Sequence, residues 1–205
     1  MQKVLICVPT YENITPDTFK AIYDMDKPCP TDFEFVRGYD VATARNNCVL
    51  KMLDGGYTHL MLIDNDVTPP KDALANLLED DRDVVSGYYA HRNKGNDPTI
   101  VTNLCKMGEF NYLTQWDGDE LRAELAKGNT VIRIHGGGMG CILIKRHVFE
   151  RISYPWYDWV NYRDPNRSML SEDLYFCERC GAERIKIYAD TRVACGHLFR
   201  HIQTV

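Results

Sequence analysis

The chain of 205 residues has no long apolar run, no linker-like tract and no internal repeat. Its apolar stretches are much shorter than the roughly 20 residues that cross a bilayer as a helix. No Pro-, Gly- or Ser-rich segment divides the chain, and its length suits one hydrophobic core, so we expect a single domain over residues 1–205. The first residues enter a strand pattern at once, without the layout of a signal peptide. These absences predict a cytoplasmic protein with no membrane span.

The chain also lacks an excess of positive charge. Its 24 Lys and Arg are outnumbered by 29 Asp and Glu, which gives a formal net charge of -5 and a pI near 5.7. A protein that grips nucleic acid through a broad basic surface has the opposite balance, so no nucleic-acid partner is expected. The chain contains eight cysteines. Without an export signal most of them are expected to be reduced and to pack as small apolar residues.

Apolar periodicity predicts alternating strands and helices along the first half of the chain. Strands are predicted at 3–9, 32–36, 57–63 and 84–89, with helices at 15–23, 41–53 and 69–78 between them. This β-α-β-α-β-α-β order is typical of a doubly wound, mostly parallel sheet flanked by helices. Residues 90–130 are predicted to form a surface excursion from the sheet, with short antiparallel strands and a short helix at 119–127. Further strands are predicted at 131–134, 141–144, 185–189 and 193–197, and helices at 146–151 and 171–180.

Two carboxylates stand where the third predicted strand ends. An apolar run that begins at Tyr57 stops abruptly at Asp64, Asn65 and Asp66. Such a run predicts a strand buried on both faces, and open α/β sheets bind ligands at the carboxyl ends of their strands. Two acids one residue apart repel each other unless a cation or a partner neutralises them, and hard oxygen ligands suit Mg²⁺ or Mn²⁺. A solvated acidic turn is the plainer explanation of the same residues.

A second acidic pair, Glu172 and Asp173, follows Ser171 at the start of a predicted helix. Ser171 has N-cap chemistry, and the helix macrodipole favours carboxylates in the first turn. Helix stabilisation alone would explain the pair. A carboxylate in this position is equally well placed to take a proton from a hydroxyl nucleophile.

A histidine and a glycine run complete the candidate residues. His197 follows the last predicted strand, and a neutral imidazole could join two acids as the third ligand of a divalent cation; a satisfied core or surface histidine is the plainer explanation. Gly136, Gly137, Gly138 and Gly140 allow a ligand or a second chain segment to approach the backbone closely. Without a strand-then-helix context they form neither a dinucleotide fingerprint nor a P-loop.

In their order along the chain, these motifs resemble those of the family 2 glycosyltransferases of the GT-A fold, including short bacterial and phage-type members. The resemblance runs from Val4 to about Phe199. It implies one GT-A-like α/β domain with a smaller antiparallel portion. It also implies a metal-dependent, inverting hexosyltransferase that uses Mn²⁺ or Mg²⁺. Its partners would be a UDP- or GDP-sugar donor and a carbohydrate or other hydroxyl acceptor.

The resemblance also implies roles for individual residues. Asp173 is implied as the general base with Glu172 beside it, and Asp66 is implied as the direct metal ligand with Asp64 and His197 nearby. The residues implied at the nucleotide are Pro9, Tyr11, Glu12, Arg45, Asn46, Asp64 and Asn65. The residues implied on the acceptor side are Gly137, Gly138 and Met139, and Arg92 is a further candidate for the diphosphate pocket.

The chain departs from the family in two respects. It lacks the Gln-x-x-Arg-Trp motif of processive polysaccharide synthases, and it has no membrane helices, so a non-processive transferase is implied. The segment 90–130, where sugar and acceptor specificity would be expected, matches no motif of the family. The identities of the donor and the acceptor therefore stay open.

Other functions remain open at this stage. Cys177, Cys180, Cys195 and His197 have the local spacing of a structural zinc site, which would remove His197 from catalysis. Nucleotidyl transfer also uses paired acids and a divalent cation, but it would need a basic triphosphate loop after the first strand, where this chain has Tyr11 and Glu12. A non-catalytic domain that only binds sugar nucleotides is the third alternative.

Overall fold

A computed structural model describes residues 1–90, 101–108, 113–161 and 169–198. Its helices are α1 (Pro16–Asp24), α2 (Val41–Asp54), α3 (Ala73–Glu79), α4 (Gly118–Ala126), α5 (Arg146–Arg151) and α6 (Glu172–Ala182). Its strands are β1 (Val4–Thr10), β2 (Thr31–Arg37), β3 (His59–Ile63), β4 (Val67–Thr68), β5 (Val84–Tyr88), β6 (Val101–Met107), β7 (Leu113–Asp117), β8 (Val131–Ile134), β9 (Gly136–Gly137), β10 (Cys141–Lys145), β11 (Ile187–Ala194) and β12 (Gly196–His197). The predicted alternation of strands and helices over the first half is confirmed. Among these helices none combines the length and the apolar character that a membrane span requires.

The described strands form one large sheet and two small ones. The large sheet has seven strands in the order β2-β1-β3-β10-β5-β11-β8. In it β10 and β8 run opposite to the other five strands. The small sheets, β7-β6-β9 and β12-β4, are antiparallel. The predicted α/β class, a mostly parallel sheet with a smaller antiparallel portion, is confirmed.

The core lies on both faces of the large sheet. Every residue of β1 is buried, as expected for a central parallel strand, and successive side chains point to opposite faces. One face packs against α2, α5 and α6, and the other against α1 and α3. The carboxyl ends of β1 and β3 therefore lie at the same edge of a sheet that is covered by helices on both faces.

The last strands differ from the prediction. Instead of separate strands at 185–189 and 193–197, β11 runs continuously from Ile187 to Ala194, but its register against β5 shifts on the way. β11 advances from Ala189 to Ala194 while β5 advances only from Ser86 to Tyr88. We call residues 190–193 the β11 bulge. The short strand β12 then pairs with β4 rather than with the large sheet.

Gly87 allows the β11 bulge to pack against β5. A Cβ atom at Gly87 would lie 2.6 Å from Val193 Cγ1 and 2.7 Å from the Val193 carbonyl oxygen. Both separations are too short for non-bonded atoms, and the carbonyl belongs to the backbone, so it cannot swing away. Only glycine fits at this position.

We expect Gly87→Ala to lower the free energy of unfolding by about 2 kcal/mol, because the added methyl group overpacks the junction between β5 and the bulge. Chemical denaturation followed by circular dichroism measures the change. Gly181→Ala is the matched control: a Cβ at Gly181, in α6, meets nothing within 4 Å, and alanine should stabilise the helix by about 0.5 kcal/mol. Equal stability of Gly87→Ala and the wild type would contradict the packing argument.

Candidate active site

Asp64 and Asp66 lie in a tight turn at the carboxyl end of β3. All five residues of β3 are buried, and the turn is closed by a hydrogen bond of 3.2 Å from the Val67 amide to the Asp64 carbonyl. The Asp64 amide donates to the Gly140 carbonyl at 3.0 Å, which ties the turn to the neighbouring strand β10. The apolar run thus ends where predicted, and it delivers two carboxylates to the edge of the sheet.

Arg45 is the central cation of the described site. Its side chain is only 3% exposed, and it reaches Asp64 with Nη2 at 2.9 Å and Glu172 with Nη1 at 2.5 Å. The same Nη1 lies 3.7 Å from Asp173 Oδ1. One guanidinium from α2 therefore joins the turn after β3 to the start of α6, which are more than a hundred residues apart in the chain.

The buried charges shift each other's protonation. Burial alone would lower the pKa of Arg45, but the charges of Asp64, Asp173 and Glu172 outweigh it and raise that pKa above its ordinary value. Burial raises the pKa of Glu172 to about 7, against the opposing charge of Arg45. Glu172 therefore changes its charge near neutral pH, while Arg45 stays charged.

Asp173 lies in the first turn of α6, as predicted, and its side chain is 22% exposed. Ser171 has the extended backbone of an N-cap residue, with φ -70 and ψ 160, but its hydroxyl makes no cap bond. The start of α6 faces the turn that carries Asp64 and Asp66. The carboxylates of Asp64, Asp66 and Asp173 line the same two cavities. Asp173 and Asp66 thus lie on one side of the molecule, as the predicted site requires.

His197 approaches Asp66 from β12. The His197 Nδ1 atom lies 2.9 Å from the Ala90 carbonyl oxygen. Because a carbonyl can only accept, Nδ1 carries the proton in this contact, and the other ring nitrogen, Nε2, is on the side of Asp66. His197 Nε2 lies 3.7 Å from Asp66 Oδ2. A ring nitrogen fixed by a carbonyl on its far side is the usual arrangement of a metal-binding histidine.

Asp66 and His197 fit a divalent cation as two protein ligands. Two donor atoms that each bind one ion at about 2.1 Å cannot be more than about 4.2 Å apart, and the separation of 3.7 Å satisfies this limit. Asp64 is drawn toward Arg45 through Oδ1. In the described residues no group of three or more His, Cys, Asp and Glu side chains is arranged around a common point to hold a metal. Among the described residues Asp66 and His197 are therefore the pair that fits an ion, and Asp64 as a third ligand stays a prediction.

The alternative zinc site is wrong. Its four residues, Cys177, Cys180, Cys195 and His197, are all described, and they do not form a metal-binding group. Cys177 and Cys180 belong to the core on the α6 side of the large sheet, whereas Cys195 packs into the core on the opposite side. The spacing in α6 reflects a buried helix face.

Two cavities meet at the carboxylates. The first cavity, of about 350 Å³, is lined by Asp64, Asp66, Tyr89, Asn103, Cys105, Gln115, Gly137, Gly138, Ser171, Asp173, Leu174 and His197. The second, of about 440 Å³, is lined by Pro9, Thr10, Tyr11, Tyr39, Asp40, Val41, Ala44, Arg45, Asp64, Asn65, Asp66, Glu172 and Asp173. Asp64, Asp66 and Asp173 belong to both linings. A ligand in either cavity would therefore contact the same three carboxylates.

The glycine run beside the first cavity leaves room for the Tyr89 side chain. A Cβ at Gly138 would lie 2.5 Å from the Tyr89 hydroxyl oxygen, and one at Gly140 would lie 2.7 Å from it. The Gly140 amide donates to that hydroxyl at 3.2 Å. Gly137 and Gly138 line the cavity as expected for a substrate-facing segment. Met139 does not line the cavity. It is 1% exposed and packs into the core, so its side chain cannot contact a substrate.

Several residues with implied nucleotide roles are placed differently. Asn46 is buried, where Oδ1 accepts from the amides of Trp156 and Tyr157 at 3.1 Å and Nδ2 donates to the Tyr157 carbonyl at 2.8 Å, so it fixes a loop instead of touching a nucleotide. Glu12 is exposed and outside the cavity lining, whereas Pro9, Tyr11 and Asn65 lie in it. Glu172 is occupied by Arg45, which leaves Asp173 as the accessible carboxylate of the pair. Arg92 lies outside the described residues.

The sequence did not reveal other residues of the two linings. Asn103 is buried, and its side chain accepts from the Tyr89 amide at 2.8 Å and donates to the Gly138 carbonyl at 3.3 Å. Gln115 lies across from Cys105 on the β6–β7 pair. Tyr39 precedes Asp40, the N-cap of α2, whose carboxylate accepts from the Thr43 amide at 3.1 Å. The Asp40 cap before an amphipathic helix was the one readable signal among these residues.

Comparisons with known proteins show the fold. No family model matches the chain, and no curated protein matches it by sequence. Among solved structures, A197 from STIV is similar with a TM-score of 0.64 and 17% identity, over 97% of this chain and 87% of that one. GalNAc-T7, solved with UDP, GalNAc and Mn²⁺, is similar with a TM-score of 0.63 and 12% identity, over 97% of this chain. This chain spans 44% of the GalNAc-T7 chain. The chain therefore has the GT-A-like, glycosyltransferase-type fold that the resemblance implied.

We expect Arg45→Met to lower the free energy of unfolding by about 3 to 5 kcal/mol, because it leaves buried carboxylates without a counter-charge. Urea denaturation at neutral pH measures the loss. The control is Arg122→Met, which removes an exposed ion pair with Asp119 and should change stability by less than about 0.5 kcal/mol. If both variants lost the same small amount, Arg45 would not be the central cation of a buried network.

We also expect the stability of the wild type to fall as pH rises from about 4.5, the ordinary value for Glu172, to about 7, its pKa in the folded chain. In this window the folded chain retains a proton that the unfolded chain has released, so rising pH favours unfolding. Glu172→Gln removes this contribution, and its free energy of unfolding should fall less steeply over the same window. Denaturation at a series of pH values measures the slope, and Glu178→Gln, in the exposed part of the same helix, should keep the wild-type slope. Identical slopes in all three proteins would contradict the assignment.

Proposed function

We propose that the protein is a metal-dependent, inverting glycosyltransferase that moves a sugar from a nucleoside-diphosphate donor to an acceptor hydroxyl. The observation that carries the proposal is that Asp64, Asp66 and Asp173 are shared by two cavities at the carboxyl edge of the sheet. Two substrates that must meet at one reacting carbon need two adjoining spaces of this kind. The similarity to GalNAc-T7, whose structure contains UDP, GalNAc and Mn²⁺, supports it.

The charge of the site favours a divalent cation. Five carboxylates, those of Asp40, Asp64, Asp66, Glu172 and Asp173, line the second cavity, and Arg45 is the sole cation among the described residues that line it. Adding a nucleoside diphosphate to this acidic site is unfavourable unless further positive charge enters with it. Asp66 and His197 would hold Mn²⁺ or Mg²⁺, which would neutralise the charge that develops on the leaving diphosphate.

The second cavity suits the nucleotide part of the donor. Tyr11 and Tyr39 at its lining are 70% and 48% exposed, and such rings provide flat apolar surfaces for a base. Asn65 donates to the Asn13 carbonyl at 2.7 Å and to the Thr10 hydroxyl at 3.1 Å, so it binds the loop after β1 to the acidic turn. The loop and the turn would therefore move together when a donor binds.

Asp173 would act as the general base. It lines both cavities, and its neighbour Glu172 is paired with Arg45, so the partly exposed carboxylate of Asp173 would face the space where donor and acceptor meet. The acceptor oxygen would form its bond to the anomeric carbon while the bond from that carbon to the diphosphate oxygen breaks, and Asp173 would take the hydroxyl proton. Attack from the face opposite the leaving group inverts the anomeric centre.

The other uses of this fold fit the site less well. Nucleotidyl transfer would need several cations for a triphosphate, and Arg45 is already engaged by Asp64 and Glu172. A domain that only binds sugar nucleotides would not need the carboxylate of Asp173. Family 2 membership, non-processive transfer, a single domain over the whole chain and a cytoplasmic location stay predictions.

Two substitutions separate binding from chemistry. In a thermal-shift screen of UDP and GDP, one nucleotide should raise the melting temperature of the wild type with Mn²⁺ more than without it, because a ligand stabilises the folded form that binds it. Asp66→Asn should lose the Mn²⁺-dependent part of this shift. Asp173→Asn should keep the shift but lose about 100-fold or more in turnover, as expected on removal of a general base.

Glu178→Gln, on the same helix as Asp173, is the control and should keep both the shift and the turnover. The screen that identifies the nucleotide also supplies the donors for the activity assay, namely sugar nucleotides that carry the same base. Unchanged turnover in Asp173→Asn would eliminate it as the base. A stabilisation that is the same with and without Mn²⁺ in all variants would eliminate the metal.

A further inference from the structure

A second charged cluster, in which two carboxylates are buried, lies outside the two cavities. Arg192 of the β11 bulge donates from Nη1 to Glu79 at 2.8 Å and from Nη2 to Asp80 and Asp190 at 2.9 Å each. Asp190 is fully buried and the Asp80 side chain is 3% exposed. We call these four residues the Arg192 clamp. None of them lines either cavity, so the cluster has no part in the proposed reaction as described so far.

The Arg192 clamp fixes the conformation of the β11 bulge. Asp190 Oδ1 accepts from the Arg192 amide at 2.7 Å and from Arg192 Nε at 3.1 Å, which closes the backbone of the bulge on itself. Glu79 and Asp80 lie at the end of α3, so the guanidinium also fastens the bulge to that helix. On the other side, the Thr191 amide donates to the Thr130 carbonyl at 2.8 Å. The bulge is therefore held from two directions.

The bulge decides where the chain after β11 runs. In plain register with β5, residue 191 would pair with Tyr88, but the structure pairs Ala194 there instead. Three extra residues of extended strand would span about 10 Å. Without the bulge, everything after β11 would be displaced along the sheet by roughly this distance.

The residues that follow the bulge carry His197 to Asp66. The Cys195 amide donates to the Tyr88 carbonyl at 2.7 Å, and His197 pairs with Val67 in the small β12-β4 sheet. The next amide, that of Leu198, donates to the Asp66 carbonyl at 2.8 Å. The imidazole contacts the Ala90 carbonyl through Nδ1, and its Nε2 atom therefore points toward Asp66. Four residues, 193–196, lie between Arg192 and His197, and backbone hydrogen bonds and strand pairing tie this stretch first to β5 and then to β4.

We propose that Arg192 is a positioning residue for His197. By joining the buried carboxylates of Asp190 and Asp80, it fixes the bulge that sets the register of β12, and this register sets the tautomer of His197 and the direction of its Nε2 atom. Arg192 would act only through His197, since it does not reach the cavities. The inference rests on the proposed function in one respect, namely that His197 binds a metal.

The test measures the imidazole and the metal separately. In metal-free protein, long-range ¹⁵N–¹H NMR should show the wild-type His197 ring protonated at Nδ1, with its signals assigned by their loss in His197→Gln. Arg192→Ala should show both neutral tautomers in exchange. Titration with Mn²⁺ alone, followed by electron paramagnetic resonance, should give a dissociation constant about tenfold higher in Arg192→Ala, as for other supports of a metal ligand.

Glu79→Gln is the matched control, because the Glu79 side chain is 70% exposed and its loss leaves the buried contacts of Arg192 intact. It should match the wild type in both measurements. If Arg192→Ala does not fold by circular dichroism, Arg192→Lys replaces it: it keeps the charge but loses the fork that joins three carboxylates, and it should shift both measurements in the same direction.

A folded Arg192 variant with the wild-type tautomer and an Mn²⁺ affinity within twofold of the wild type would overturn the proposal. Failure of the wild type to bind Mn²⁺ would instead count against the metal in the proposed function. In that case the tautomer measurement alone decides whether Arg192 positions His197.

Discussion

The contact of Arg45 with Asp64, Glu172 and Asp173 is the interaction on which the site depends. A guanidinium that is 3% exposed cannot be hydrated by bulk water, so its charge must be balanced by the carboxylates around it. Those carboxylates come from the turn after β3 and from the start of α6. The electrostatic requirement of one buried side chain therefore brings two distant chain segments together and aligns the edge of the sheet with a helix terminus.

The fold was largely predictable from the sequence because its signals are local. The buried run before Asp64 marks a central strand, and the alternation with amphipathic helices places its carboxyl end at a ligand-binding edge. The break between the strands predicted at 185–189 and 193–197 falls in the β11 bulge. Periodicity alone could not show that β11 continues through the break, because the bulge is stabilised by contacts of Arg192 with α3, more than a hundred residues earlier.

The candidate site was predictable only in part, and the errors share a cause. Asp66, Asp173 and His197 belong to motifs whose residue types indicate their chemistry, and the structure brings them to one edge of the sheet. Arg45 and Asn46 stand next to each other in α2, yet one organises the charges and the other fixes the loop at Trp156 and Tyr157. Motif likeness cannot distinguish a side chain that faces the ligand from one that faces the protein, because that depends on tertiary contacts. The same holds for Met139, which follows two cavity-lining glycines but packs into the core.

The order of the site's parts along the chain has a consequence for biosynthesis. Asp64 and Asp66 emerge from the ribosome more than a hundred residues before α6 and β12. Until then Arg45 and the acidic turn lack their partners in α6 and β12, and β5 lacks its parallel neighbour β11. A nascent chain that stops before α6 would thus contain most of the lining of the second cavity but neither Asp173 nor His197, so the groups of the site would come together only once β12 had been made.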